Sequence, residues 1–242
     1  MKKCGKDYIV FPLDVDHESE AKQLVGRLRE HVGMFKIGLA VFIRHGPPLV
    51  TWVASQAGAK VFLDLKLHDI PATVSQAMRG IAALDVALTT VHCGESPAML
   101  AAAVEGSQGK VGLLGVTVLT SVSAQDLTAA GYRENRSHDL TELVLHRASL
   151  AKSAGFSGVV CSGHEAALIK NRLGSPFLTV TPGIRPAGEQ GAGDDQRRVM
   201  TPAQAVAQGA DLLVIGRPIR DAPDPAAAAQ HIAMEIDAII DA

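Results

Sequence analysis

Three observations in this sequence predict an α/β fold and, within that class, a (β/α)8 TIM barrel. Short β-rich runs alternate with longer amphipathic ones from one end of the chain to the other. The chain has 242 residues, long for an ordinary domain but normal for one α/β barrel. Aromatic residues make up only 4% while Ala, Val, Leu and Gly are plentiful, which suits a core of branched aliphatic side chains.

Strands are expected at Tyr8–Val15, Met34–Leu39, Lys60–Leu67, Val86–His92, Val111–Leu119, Gly158–Ser162, Phe177–Thr181 and Leu212–Gly216. Helices are expected at Glu18–His31, Pro48–Gln56, Thr73–Leu84, Pro97–Glu105, Leu140–Ala154, His164–Asn171 and Pro202–Gln208, with a last one at Pro225–Ile240. Strands that are each followed by a helix require a parallel sheet with helical crossovers. Closure into a barrel is the expected arrangement; a doubly wound open sheet is the alternative, because periodicity does not report closure. No linker or composition break divides residues 1–242, so one barrel domain is expected. Two stretches are irregular. Ser121–Ser137 mixes Ser, Asp, Gly and Asn and reads as a long excursion after the fifth strand. Ala187–Gln196 carries Gly188, Gly191 and Gly193 among polar residues, and its place on the functional face makes it a candidate lid.

Composition excludes several classes. A net charge of −2 gives no support to binding of nucleic acid or of an acidic membrane surface, both of which favour basic proteins. No run approaches the roughly 18 apolar residues of a membrane span, and Met1–Lys6 leads straight into a strand without an apolar signal segment. Cys4, Cys93 and Cys161 are odd in number and far apart, as expected of reduced thiols in the cytoplasm. The nine histidines contain no HxxxH or HExxH pair, so no metal site is expected.

The charged residues of the first three strands carry the chemistry. In Val61-Phe62-Leu63-Asp64-Leu65-Lys66-Leu67-His68, alternation puts Val61, Leu63, Leu65 and Leu67 on one face. Phe62, Asp64, Lys66 and His68 then point into the lumen. In the second strand Phe35, Ile37 and Leu39 form the apolar face and Lys36 takes the other; in the first, Phe11, Leu13 and Val15 oppose Asp14. Charges in a low-dielectric interior are costly unless paired. Isolated ion pairs sometimes only fix a fold, but apolar replacement of such pairs is often neutral or stabilising. Four alternating charges on neighbouring strands, at the end where barrel enzymes place their sites, therefore point to function.

The strand ends seven and eight suggest an anion site. The eighth closes on Ile215-Gly216-Arg217-Pro218 and the seventh on Thr181-Pro182-Gly183-Ile184-Arg185. Loops after these strands commonly hold a phosphate in this fold, where glycine permits close backbone approach and arginine adds a bidentate contact. No GxGxxG or GxxxxGK(S/T) motif supports a dinucleotide or triphosphate.

Asp64-Leu65-Lys66-Leu67-His68-Asp69-Ile70-Pro71 resembles the DxKxHDIP signature of the orotidine 5′-monophosphate decarboxylase family. It is joined in order by Leu13-Asp14, Phe35-Lys36-Ile37-Gly38, Thr90-Val91-His92, Val118-Leu119-Thr120-Ser121, Thr181-Pro182-Gly183-Ile184-Arg185, Asp195-Gln196-Arg197 and Ile215-Gly216-Arg217-Pro218. The resemblance covers nearly the whole chain. Phe11-Pro12, Leu67 and Ala72 depart from the family pattern without removing a reacting group, and Pro12 is expected to bend the first strand. The resemblance implies conversion of orotidine 5′-monophosphate to uridine 5′-monophosphate without metal or organic cofactor. It makes Lys66 the proton donor to C6, sets Asp64 against the substrate carboxylate, and gives Lys36 and Asp14 the ribose hydroxyls. It gives Thr120 the pyrimidine edge, and Arg185, Gln196, Gly216 and Arg217 the phosphate. Asp69 and Thr73 are implied to reach the site of a second subunit, making the unit a homodimer. Two rivals remain at this level. A sugar-phosphate enzyme (3-keto-L-gulonate 6-phosphate decarboxylase or hexulose-phosphate synthase) has a similar DxKxxD motif but needs Mg²⁺, where Lys36 stands in place of a carboxylate. A non-catalytic nucleotide-binding barrel would have no use for Lys66.

Overall fold

The computed structural model describes residues 3–56, 58–132, 140–186 and 199–241. In it the sheet is closed: eight parallel strands follow one another in sequence order and the last pairs with the first. They are β1 (Ile9–Pro12), β2 (Met34–Gly38), β3 (Val61–Leu67), β4 (Leu88–His92), β5 (Gly112–Val116), β6 (Gly158–Val160), β7 (Leu178–Thr181) and β8 (Leu212–Val214). The open-sheet alternative falls. Around the barrel lie α1 (Glu18–Leu28), α2 (Leu39–Ala54), α3 (Pro71–Ile81), α4 (Pro97–Ser107), α5 (Ala124–Ala129), α6 (Leu140–Ala154), α7 (Gly163–Leu173), α8 (Pro202–Ala207), α9 (Arg217–Arg220) and α10 (Pro225–Ile240). A 3-10 turn, Gly5–Tyr8, precedes β1.

The sequence dictates most of these boundaries. Helices α3, α4, α8 and α10 each begin on proline, whose fixed φ and missing N–H suit the first turn. Asp224 caps α10 by accepting from the N–H groups of Ala226 and Ala227. Three helical pieces are additional to those expected: the first part of α2, α5, and the single turn α9 at Arg217–Arg220. The α2 span is two helical pieces, because Gly46 (φ 60°, ψ −161°) is not helical; the piece after Gly46-Pro47-Pro48 is the expected one, and the piece from Leu39 is the addition. Leu39 thus leaves the apolar face of β2 and is exposed. The excursion after β5 contains α5, which Ser123 caps by accepting from the Asp126 N–H. The candidate lid Ala187–Gln196 lies outside the described residues.

Alternation along the strands builds two cores. Phe11, Leu13, Phe35, Ile37, Val61 and Leu63 pack outward under the helices. Val10, Met34, Phe62, Leu88, Leu114, Val180 and Leu212 fill the lumen. Each fully buried side chain of this kind contributes about 1.5–3 kcal/mol, and the lumen cluster forms an apolar plug beneath the upper rim. At the opposite rim, Asp211 accepts from Lys170 Nζ (2.5 Å) and from the Thr179 N–H (2.7 Å), tying the start of β7 to that of β8. No helix among the described residues is long and apolar enough to cross a membrane.

Candidate active site

Above the apolar plug, at the C-terminal ends of the strands, opens a cavity of about 410 Å³. Its polar lining includes Asp14, Lys36, Asp64, Lys66 and Thr120. Its floor and walls are aliphatic or aromatic: Phe62, Val116, Val118, Val160, Val180 and Val214. Such a setting strengthens every charge–charge interaction inside it.

The four charges form a chain. Lys36 Nζ lies 3.7 Å from Asp14 Oδ1 and 3.5 Å from Asp64 Oδ2. Lys66 Nζ donates to both oxygens of Asp64, at 2.9 and 2.8 Å. Strand register explains how neighbours so different in sequence meet: Lys36 pairs with Phe62 and Gly38 with Asp64, so the carboxylate rises beside the lysine. Gly38 also makes room, since a Cβ there would lie 3.2 Å from Lys36 Nζ. Lys36 and Asp64 side chains are only 11% and 12% exposed, while those of Lys66 and Asp14 are 37% and 56% exposed. The inner pair is therefore the one that depends on its partners, and the outer pair is open to a ligand.

Burial pushes the Asp64 carboxyl upward, but Lys36, Lys66 and the Thr90 hydroxyl together outweigh it and hold the group below the usual carboxylate value. Lys66 itself has a left-handed backbone, φ 52°, uncommon for a residue with a side chain. The β3–β4 ladder breaks at the same point, jumping from Leu63↔Thr89 to Leu67↔Val91. This bulge ends the simple alternation. Phe62, Asp64 and Lys66 reach the lumen as expected, but His68 does not: it sits beside His92 (ring centroids 5.2 Å) and near Glu95. Burial, then His68 and Lys66, depress the His92 imidazole.

Of the remaining predicted residues, those described follow the C-terminal ends of β3, β5, β7 and β8. Thr120 lines the cavity on the loop after β5. Arg185 follows β7, held where its N–H donates to Met200 O (3.0 Å), and its guanidinium donates to Ile184 O (2.7 Å). Gly216 and Arg217 follow β8, directly beside β7. A Cβ on Gly216 would lie 2.9 Å from Pro12 Cγ, so the unusual Pro12 requires that glycine. Pro12 is the last residue of β1 and no break follows, since the Leu13 N–H still reaches Lys36 O (2.9 Å). Asp69 and Thr73 are exposed and outside the cavity of their own chain. Gln196 lies outside the described residues. Two residues with no role in the sequence reading also enter the site. Thr90 bonds both Asp64 and Lys66. Arg220 donates to Asp14 O (3.0 Å); its spacing from Arg217, one helical turn, was the available signal.

Among the described residues no three His, Cys, Asp or Glu side chains gather where they could hold a metal ion. The three cysteines are free. Burial pushes the thiols of Cys93 (to about 12) and Cys161 upward, so neither is a nucleophile at neutral pH.

Residues 7–232 match the model of the orotidine 5′-phosphate decarboxylase / HUMPS family. The chain belongs to that family. A Desulfosudis oleivorans relative named orotidine 5′-phosphate decarboxylase is 52% identical, over 97% of this chain and 95% of its own. One from Anaeromyxobacter sp., named alike, is 47% identical over 93% and 96%. The crystal structure of orotidine 5′-phosphate decarboxylase from Lactobacillus acidophilus superposes with a TM-score of 0.82 at 34% identity, covering 95% of this chain and 98% of that one.

The depressed Asp64 ionisation has a measurable consequence. Stability from a lowered carboxyl is fully present above the unfolded value of about 3.9 and is lost as pH falls through the folded one. Urea unfolding of wild type and Asp64→Asn should give a constant stability difference at about pH 5–7, moving against the wild type below about pH 4. A difference that stays constant to acid pH would show that Asp64 gains nothing from its neighbours.

Proposed function

We propose that this chain decarboxylates orotidine 5′-monophosphate to uridine 5′-monophosphate in pyrimidine nucleotide synthesis, as one barrel domain and without metal or organic cofactor. The observation that carries the reading is the Lys66 ammonium, held on the Asp64 carboxylate inside the cavity at the C-terminal ends of the strands. In the reaction the bond from C6 to the carboxylate breaks and its electron pair stays on C6. Lys66 Nζ supplies the proton that replaces CO₂. A preorganised ammonium at the carbon where charge develops is worth most in a site that excludes water. Asp64 stands against the departing carboxylate and holds Lys66 aimed. Lys36 and Asp14 receive the ribose hydroxyls, Thr120 the pyrimidine edge, and Arg185, Gln196, Gly216 and Arg217 the phosphate. The largest enzymatic accelerations amount to about 20 kcal/mol or more, beyond one ammonium, and binding of the remote phosphate supplies the supplement.

The sugar-phosphate alternative requires Mg²⁺ held by carboxylates, and the position that would offer one on β2 is Lys36. Turnover of orotidylate, followed by loss of pyrimidine absorbance, should therefore be unchanged by exhaustive chelation. Loss with EDTA and recovery with Mg²⁺ would overturn this reading in favour of the sugar-phosphate one.

Asp69 and Thr73 belong to the site of a second subunit in this proposal. Their exposure on their own chain, beside the exposed apolar Ile70, supports it. The cytoplasm is the proposed location. Lys66→Ala and Asp69→Ala should each be nearly inactive, because residues acting as a unit fail together. Mixed with subunit exchange, they should regain up to about a quarter of wild-type activity, since half the dimers are hybrids with one intact site. Verified exchange without recovery would place Asp69 in its own subunit's site.

A further inference from the structure

We propose that Thr90 is a positioning residue that sets both members of the Asp64–Lys66 pair through one hydroxyl. The inference rests on the decarboxylase reading for its kinetic consequence, and on geometry alone for the positioning itself. Thr90 follows Leu88 by two residues on β4, so it shares the lumen face, and it is fully buried. Its hydroxyl donates to Asp64 Oδ1 at 2.9 Å and accepts from the Lys66 backbone N–H at 2.9 Å. A threonine hydroxyl has one proton to give, and here it goes to the carboxylate; a lone pair takes the amide.

The two bonds act at the place where β3 is least regular. Between Leu63 and Leu67 the ladder to β4 loses register, and Lys66 has its left-handed φ of 52° inside that bulge. With Lys66 out of the regular ladder, the Thr90 side chain receives its N–H. The same oxygen fixes one carboxylate oxygen of Asp64, whose two oxygens hold the Lys66 ammonium. Backbone and side-chain end of Lys66 are thus both referred to a single atom of the neighbouring strand. Removing that atom leaves every charge present but lets the ammonium drift from its aim. The cost falls on the reacting step rather than on substrate binding.

The test compares Thr90→Val, Thr90→Ser and Thr89→Val with wild type. Thr89 is a control from the other face of β4: it is equally buried and its hydroxyl donates to Leu63 O at 2.8 Å, away from the charge chain. Thr90→Val should lower kcat on orotidylate about 10- to 100-fold with KM changed less than about threefold, the scale of one hydrogen bond to a charged group. Thr90→Ser, which keeps the hydroxyl, and Thr89→Val should both stay within about threefold of wild-type kcat. Hydrogen exchange gives an arm independent of turnover: the Lys66 amide should lose protection in Thr90→Val and keep it in the other two. Thr90→Ala serves the same comparison if the valine variant does not fold. The proposal is overturned if Thr90→Val keeps its kcat, if the Thr89 and Thr90 valine variants lose it alike, or if serine fails to rescue. A wild type inactive on orotidylate would instead sink the functional reading, leaving the Lys66 amide to decide on Thr90.

Discussion

The contact between Lys36 and Asp64 is the interaction on which the upper half of the barrel depends. Both side chains are almost fully buried among aliphatic and aromatic neighbours, and each ion alone would be very costly there. Losing one partner of such a pair costs about 3–5 kcal/mol, although apolar residues replacing both are often as stable. Stability therefore does not explain why the pair is present. What it does is extend the alternation outward, so that Asp64 carries a second ammonium, Lys66, and Lys36 a second carboxylate, Asp14. The inner ions anchor the outer ones, and the outer ones face the cavity.

The barrel supplies most of this order by strand register; of the four charges, Asp14 alone stands just beyond its strand, β1. Parallel strands staggered against one another bring Lys36, Asp64 and Thr90 to adjoining positions on three consecutive strands. Gly38 leaves space for the lysine, and the bulge at Lys66 turns its chain back over Asp64. Rigid strands hold charges more accurately than loops can. The residues assigned to phosphate follow β7 and β8, where a ligand's remote end can be gripped without disturbing the charge chain.

Much of this was legible in the sequence, because it rests on period-two alternation and strand order. The lumen positions of Lys36, Asp64 and Lys66 follow from counting along β2 and β3. The eight alternating units imply the barrel, though closure itself is not written in them, since an open sheet has the same periodicity. His68 was misplaced because a bulge is a local register fault that alternation cannot reveal. Thr90 lay unassigned for a related reason: a threonine in a strand is ordinary, and only the distances to Asp64 and Lys66 distinguish it from Thr89 beside it. Gly46-Pro47-Pro48 reads as a stop and is one, since Gly46 is not helical; the piece missed is the short helix before it, which begins directly on the end of β2 where the alternation of a strand was expected to run on to Leu39.

The central claim is that a positive charge at position 66, held by Asp64, performs the reaction. Chemical replacement of that charge tests it most directly. The exposed Cys4 is first changed to serine, and alkylation of that background with Lys66 intact controls for Cys93 and for Cys161, which lines the cavity. On that background Lys66→Cys should lower kcat on orotidylate by about a thousandfold or more, and alkylation with bromoethylamine should restore much of it by returning an ammonium to the site. Activity within about tenfold of wild type before alkylation would contradict the account, because the reaction would then proceed without the charge that the barrel is built to hold.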